Sequence, residues 1–149
     1  MAAVKEGNIE KLAELMRQDP GFDVNVLDEY GNTFLHHACN RDHRSAVIPL
    51  LLAHPDIDVN VKDRDGHTPF FYACYGYTSC VREMLKDSRV KVNEPTNCGT
   101  TPLREAAVKN HLGVIRWWIA SGREMDLGTS GNHYTDVIGV QRTGAKRKL

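Results

Sequence analysis

His36, His37, Cys39 and His43 crowd imidazole and thiol groups into one short stretch, and metal binding is the first chemistry such a group suggests. Tetrahedral zinc sites combine ligand pairs such as C-x2–4-C with H-x3–5-H, and no such set is complete here. Nor does the chain carry G-x-S-x-G, a phosphate-cradling Walker loop or H-E-x-x-H. We therefore assign no catalytic residue, metal ligand or cofactor. Cys39, Cys74, Cys80 and Cys98 form no C-x-x-C pair. The N-terminus lacks a basic segment followed by a long apolar one, so no secretory signal is read there. Free thiols in a reducing compartment, cytoplasm or nucleus, are expected. Cys98 falls on a turn, as a surface thiol open to oxidation.

Charge narrows the partners. The 149 residues hold 19 Lys and Arg against 19 Asp and Glu, with no formal net charge. Phosphate affinity needs clustered cations, so no nucleic-acid partner is expected. No apolar run approaches the roughly 18 residues of a membrane span, so no membrane partner is expected either. Apolar residues at 41% are enough for a packed core.

An internal repeat positions the candidate groups. Gly31-Asn-Thr-Phe-Leu-His-His-Ala-Cys39, Gly66-His-Thr-Pro-Phe-Phe-Tyr-Ala-Cys74 and Gly99-Thr-Thr-Pro-Leu-Arg-Glu-Ala-Ala107 align, with Thr33, Thr68 and Thr101 spaced 35 and 33 apart. A weaker copy starts at Thr135, with Val137 and Val140 in the apolar places. Val47-Ile48 with Leu51-Leu52, Cys80-Val81 with Met84-Leu85, and Val114-Ile115 with Trp118-Ile119 keep the same beat. That spacing makes one apolar stripe on a helix. Leu12 with Leu15-Met16 is the first copy, and Lys11 fills its remaining place, as suits a terminal unit. Asp23-Val-Asn25, Asp58-Val-Asn60, Lys91-Val-Asn93 and Glu124-Met-Asp126 mark a third beat, the first three leading into Gly-containing turns. Each unit reads as turn, short helix, short helix and extended return. Helices of two or three turns are marginal alone, so each unit must bury its stripe on the next.

Thr33-Phe-Leu-His-His-Ala38, Thr68-Pro-Phe-Phe-Tyr-Ala73 and Thr101-Pro-Leu-Arg-Glu-Ala106 resemble the T-P-L-H-x-A motif of ankyrin repeats. Asn110-His-Leu-Gly-Val-Ile-Arg-Trp-Trp-Ile-Ala-Ser-Gly122 is similar to that family's second helix and terminating glycine. The likeness runs from about Ala2 to Gly144. It implies an all-α solenoid of stacked helix-turn-helix units joined by projecting β-turn or hairpin loops. One domain, 1–144, divides into units of about 1–24, 25–59, 60–92 and 93–125, with a half-repeat cap at 126–144 and a basic tail at 145–149. The first unit begins inside its first helix, and with the near-complete cap this argues against a piece of a larger protein.

The motif explains the histidine cluster. His36 is the motif histidine, expected to bond backbone between units, while Cys39 and Cys80 are core positions and His43 matches His111. The Asp58-Val-Asn60 segment resembles sites modified by asparaginyl hydroxylases in this family, but Asn25 and Asn93 repeat the residue, so a structural Asn tying neighbouring turns is the reading preferred. Phe34 replaces the usual Pro and loses its preset φ. Pro49 falls inside a second helix, at a cost of about 3 kcal/mol unless the helix kinks. An additional residue between Ala38 and Val47 is available to absorb such a bend. Trp118 belongs to the core, and Trp117 is expected to be half buried against the last half-unit. Lys146-Arg147-Lys148 is read as a solvated terminus rather than a nuclear address.

Positions that differ between copies are released from the packing rule, and a partner is expected there. They are the turn-tip residues Tyr30, Asn32, Arg64, His67 and Asn97, and the concave first-helix residues His37, Arg41, Tyr72, Tyr75, Glu105 and Lys109. Tyr77 joins the tyrosines in this set, each of which also has a place within the stack. The resemblance implies a monomeric, non-enzymatic module that binds a protein along its concave face and turn tips. The alternative is an inhibitor or regulatory subunit of an enzyme such as a kinase. Changing Tyr72 and Tyr75 to Ala is expected to weaken a partner without altering helical content.

Overall fold

A computed structural model describes residues 1–128. The half-repeat around Thr135, with Val137 and Val140, and the tail 145–149 lie outside the described residues, as does any packing of Trp117 on them.

Short helices follow one another in pairs: α1 (Ala2–Lys5) with α2 (Ile9–Gln18), α5 (Pro69–Ala73) with α6 (Thr78–Leu85), and α7 (Pro102–Val108) with α8 (Leu112–Ser121). The second unit pairs α3 (Phe34–Ala38) with a 3-10 helix, Asp42–Val47, that runs into α4 (Ile48–Leu52). First helices stack as one layer, α1 on α3 and α3 on α5. Second helices stack as the other, the 3-10 helix and α4 on α6, and α6 on α8. The chain is thus an all-α solenoid, with no β-strand among the described residues.

The repeated threonines start the inner helices. Thr33, Thr68 and Thr101 accept through their side chains from the backbone N–H three residues on, at 3.3, 3.1 and 3.2 Å. Each satisfies an orphan donor of its first turn. Pro69 and Pro102 supply a preset φ after two of these caps. Where Phe34 stands instead, the His36 ring returns to the Thr33 N–H and completes a reciprocal capping box. Phe34 is itself buried, with Phe22 stacked on it at 5.3 Å.

The stripe residues meet in one continuous core. Cys80, Val81, Met84 and Leu85 are all buried, as are Val47, Ile48, Leu51, Val114 and Trp118. Trp118 packs edge-on to Phe70, 5.2 Å between ring centres, and its indole N–H donates to the Glu124 carbonyl at 3.1 Å. Two stripe members turn outward: Leu15 is 43% and Ile119 47% exposed. Each lies on an end helix of the described stack, with fewer neighbours to cover it.

Pro49 is the main correction. It does not interrupt a helix. The chain winds as 3-10 through Val47, and the α-helix begins at Ile48, so Pro49 occupies its first turn, where an N–H has no partner to lose.

The extended returns are fastened by asparagine. Asn25 donates to the Asp56 carbonyl and accepts from the Asp58 N–H, both at 2.8 Å. Asn60 donates to Arg89 O at 3.0 Å and accepts from Lys91 N–H at 2.8 Å. Asn93 donates to Glu124 O at 3.3 Å. The structural reading of Asn60 accounts for both ends of its amide.

Candidate functional site

Three projecting turns, or fingers, share one design. Asp28, Asp63 and Thr96 each donate their N–H to the carbonyl four residues on (Asn32, His67 and Thr100) at 2.9 to 3.0 Å. A side-chain oxygen of the same residue accepts two further N–H groups. Asp28 Oδ1 takes Tyr30 and Asn32, Asp63 Oδ1 takes Asp65 and His67, and Thr96 Oγ1 takes Cys98 and Thr100. A glycine with positive φ closes each turn: Gly31, Gly66 and Gly99. The fingers are also joined in series. The Arg64 N–H donates to Tyr30 O at 3.2 Å, and the Asn97 N–H to Asp65 O at 3.1 Å. Asn97 Nδ2 adds a bond to Arg64 O at 3.0 Å.

At the finger bases, two concave positions are tied inward. His37 Nε2 lies 2.8 Å from Asp28 Oδ2, and the Tyr72 hydroxyl donates to Asp63 Oδ2 at 2.5 Å, each pair nine residues apart. Burial alone would raise both carboxyls. Hydrogen bonds, from the Asn32 N–H and His37 to Asp28 and from Tyr72 and the His67 N–H to Asp63, outweigh it and hold both below their usual range. Burial and then the Asp63 carboxylate push the Tyr72 hydroxyl upward, so it remains a donor. Burial lowers His37 despite Asp28. Tyr72 also packs on His36, His67 and Tyr75, with ring centres 5.4 to 5.8 Å apart.

The expected site residues therefore divide. Tyr30, Arg64, Asn97 and Lys109 are exposed, the first three on fingertips and Lys109 at the end of α7. Arg41 is exposed but engaged, donating to the Tyr77 hydroxyl at 2.9 Å with its guanidinium over that ring. Asn32, His37, His67, Tyr72, Tyr75 and Glu105 are half-buried or nearly so, lining the step between fingers and inner helices. Losing Tyr72 frees a buried carboxylate and opens an aromatic cluster. The Tyr72 and Tyr75 double change is thus expected to lower stability as well as alter the surface.

Sequence reasoning missed three arginine clips. Arg44 donates to Lys5 O and His37 O, Arg89 to Leu52 O, and Arg123 to Leu85 O, Asp87 O and Val90 O. Apart from His37 O, which lies in Arg44's own unit, these carbonyls belong to the preceding unit, at or after a helix end. Arg89 and Arg123, 34 residues apart, reach the equivalent carbonyls of Leu52 and Leu85, a recurrence that the apolar stripe does not reveal, whereas Arg44 has no counterpart at that place. Arg82 lies over Trp117, its guanidinium carbon 5.4 Å from the ring centre.

The metal question shifts. Both ring nitrogens of His36 are engaged, Nδ1 by Thr33 and Nε2 by His67 O. Cys39 is buried and its thiol is pushed far up by burial. Asp63, Asp65 and His67 instead bring ligand-type atoms within 4.8 Å of one another. Both Asp63 oxygens already accept hydrogen bonds of the turn, so this trio is read as finger scaffolding. The Cys74 thiol is pushed well up by burial, and burial with Asp42 raises Cys80 to about 12, so neither offers a thiolate at neutral pH.

A family model described as ankyrin repeats in three copies matches residues 1–96 and 50–130. Comparison with curated proteins finds no match.

Proposed function

Since this chain belongs to the ankyrin-repeat family, whose repeats are generally protein-protein interaction modules, we propose that it binds a protein partner along its fingertips and the outer part of its concave face. One observation carries this reading. Tyr30, Arg64 and Asn97 stand exposed on fingers whose backbones are locked within each turn and from turn to turn. A surface ordered in advance loses little entropy on association. Tyr and Arg are the side chains most often found at energetic centres of interfaces. The half-buried Tyr75 and Glu105 then form the floor beside the fingers, and Lys109 a cationic margin.

The family is typically non-enzymatic. On the same reading the chain works as a monomer in a reducing compartment, cytoplasm or nucleus. Affinity capture followed by cross-linking mass spectrometry tests the surface, using the whole chain and an Arg64→Ala/Lys109→Ala variant. Cross-links should fall on the fingers and inner helices, and the captured protein should be depleted with the variant. Cross-links confined to α2 and α8, unchanged in the variant, would overturn the proposal.

A further inference from the structure

Finger one differs from its successors along one edge. Fingers two and three each give one backbone N–H, Arg64 or Asn97, to the finger before. The matching donor of finger one is the Glu29 N–H, and nothing among the described residues accepts it. An unpaired edge donor on an ordered turn is a template for an added extended segment.

Side chains around this edge depart from the other fingers. Val26 is 42%, Leu27 56% and Tyr30 63% exposed. Leu27 takes the place of Lys62 and Pro95, and Tyr30 that of Asp65 and Cys98. Leu27 and Tyr30 thus expose large apolar side chains where the later fingers do not, next to Val26, whose place is kept by Val61 and changed to Glu94. The charge differs too. Finger one, 23–32, holds Asp23, Asp28 and Glu29 and no Lys or Arg, whereas the equivalent 58–67 and 91–100 include Lys62, Arg64 and Lys91. Asp28 is committed to His37, which leaves Asp23 and Glu29 exposed beside the apolar patch.

We propose that the outer edge of finger one takes an extended, cationic segment of the partner protein. The segment's backbone carbonyl accepts from the Glu29 N–H, its apolar side chains cover Leu27 and Tyr30, and its Lys or Arg meets Asp23 and Glu29. This assignment rests on the interaction-module reading above and names the chemistry recognised at one end of that surface.

The probe is a random twelve-residue peptide library displayed on phage, panned on the whole chain. Enriched sequences are then synthesised and titrated by fluorescence anisotropy. Enriched peptides should alternate apolar residues with Lys or Arg, and lose about tenfold or more in affinity on Leu27→Ser/Tyr30→Ser. These side chains are exposed, so the variant should unfold at the wild-type temperature. Amide exchange at Glu29 should slow in the complex. Enrichment of acidic peptides, or of none, would overturn the edge site. So would peptides that ignore the Leu27/Tyr30 change but are lost on Arg64→Ala/Lys109→Ala, which would leave the module reading intact. Self-association abolished by the Leu27/Tyr30 change would also overturn it, by making a second copy the occupant. The cross-linking pattern judges the module reading separately.

Discussion

His36 Nε2 lies 2.9 Å from the carbonyl oxygen of His67, the residue immediately before the Thr68 cap of the next unit. On the other side of the ring, Nδ1 accepts the Thr33 N–H at 3.0 Å. The acceptor role fixes the tautomer, so the proton is on Nε2 and is donated to His67. One imidazole thus closes the cap of its own helix and joins two units.

Replacing His36 by Ala removes both bonds, leaving the buried Thr33 N–H without its ring acceptor and the His67 carbonyl with the Asp63 N–H alone. A loss of about 2–4 kcal/mol is expected, read as a lower urea midpoint at pH 7.5. A midpoint within error of wild type would mean that water or backbone shifts replace both bonds.

Acid should act through the same ring. His36 and His37 are held below the ordinary histidine value of 6.5, chiefly by burial. A group whose folded pKa is depressed contributes fully above its unfolded value and loses that contribution as pH falls through the folded one. Stability should therefore be level above about pH 7 and decline as pH drops below 6.5. The gap between wild type and His36→Ala should narrow over the same range. Asp28 and Asp63, held below 3.8, add a second decline in stronger acid. A gap that stays constant from about pH 7.5 to 5 would sink this account.

Two glycines should respond in opposite ways to Ala. Gly66 has φ +84°, and a Cβ there would lie 2.6 Å from the Asn97 backbone nitrogen, the donor that joins fingers two and three. Gly66→Ala should cost about 1–2 kcal/mol or more and loosen that junction. Gly21 has no positive φ, and its Cβ would meet only the Asp19 carboxylate oxygen at 3.4 Å. Gly21→Ala should be neutral or stabilising by up to about 1 kcal/mol. Thermal unfolding of the two variants decides it.

Thiol reactivity should single out one cysteine. Cys98 is exposed on finger three, while Cys39, Cys74 and Cys80 are buried and free. Burial pushes the three inner thiols upward. Ellman's reagent should modify one thiol rapidly in the native protein and the rest only on unfolding. Cys98→Ser should remove the rapid phase, and a rapid phase that survives would place a second thiol at the surface.

Much of this was legible in the residues because the repeat compares the chain with itself. The threonine caps, the stripe in α6 and the asparagine ties all follow from side-chain chemistry recurring at one spacing. His36 was legible for the same reason. Pro49 was not, because the shift from 3-10 to α winding depends on how residues 42–47 pack on α6, which a helical stripe does not encode. The inward ties of His37 and Tyr72 were hidden by the rule that variable positions face a partner. Here the variable residue on the helix pairs with an aspartate, Asp28 or Asp63, at the base of its own finger, a place that Thr96 takes in the third copy. Position among copies shows which side chains are free to differ, and only coordinates show what each one then holds.

The asparagine ties have a consequence for how the chain is built. Asn25 and Asn60 each present the same donor and acceptor to the same backbone groups of the next extended return. The joints are therefore interchangeable couplings, indifferent to which link comes next. A duplicated middle link would find its clasp waiting on either side, and the protein could grow longer without redesign of its ends.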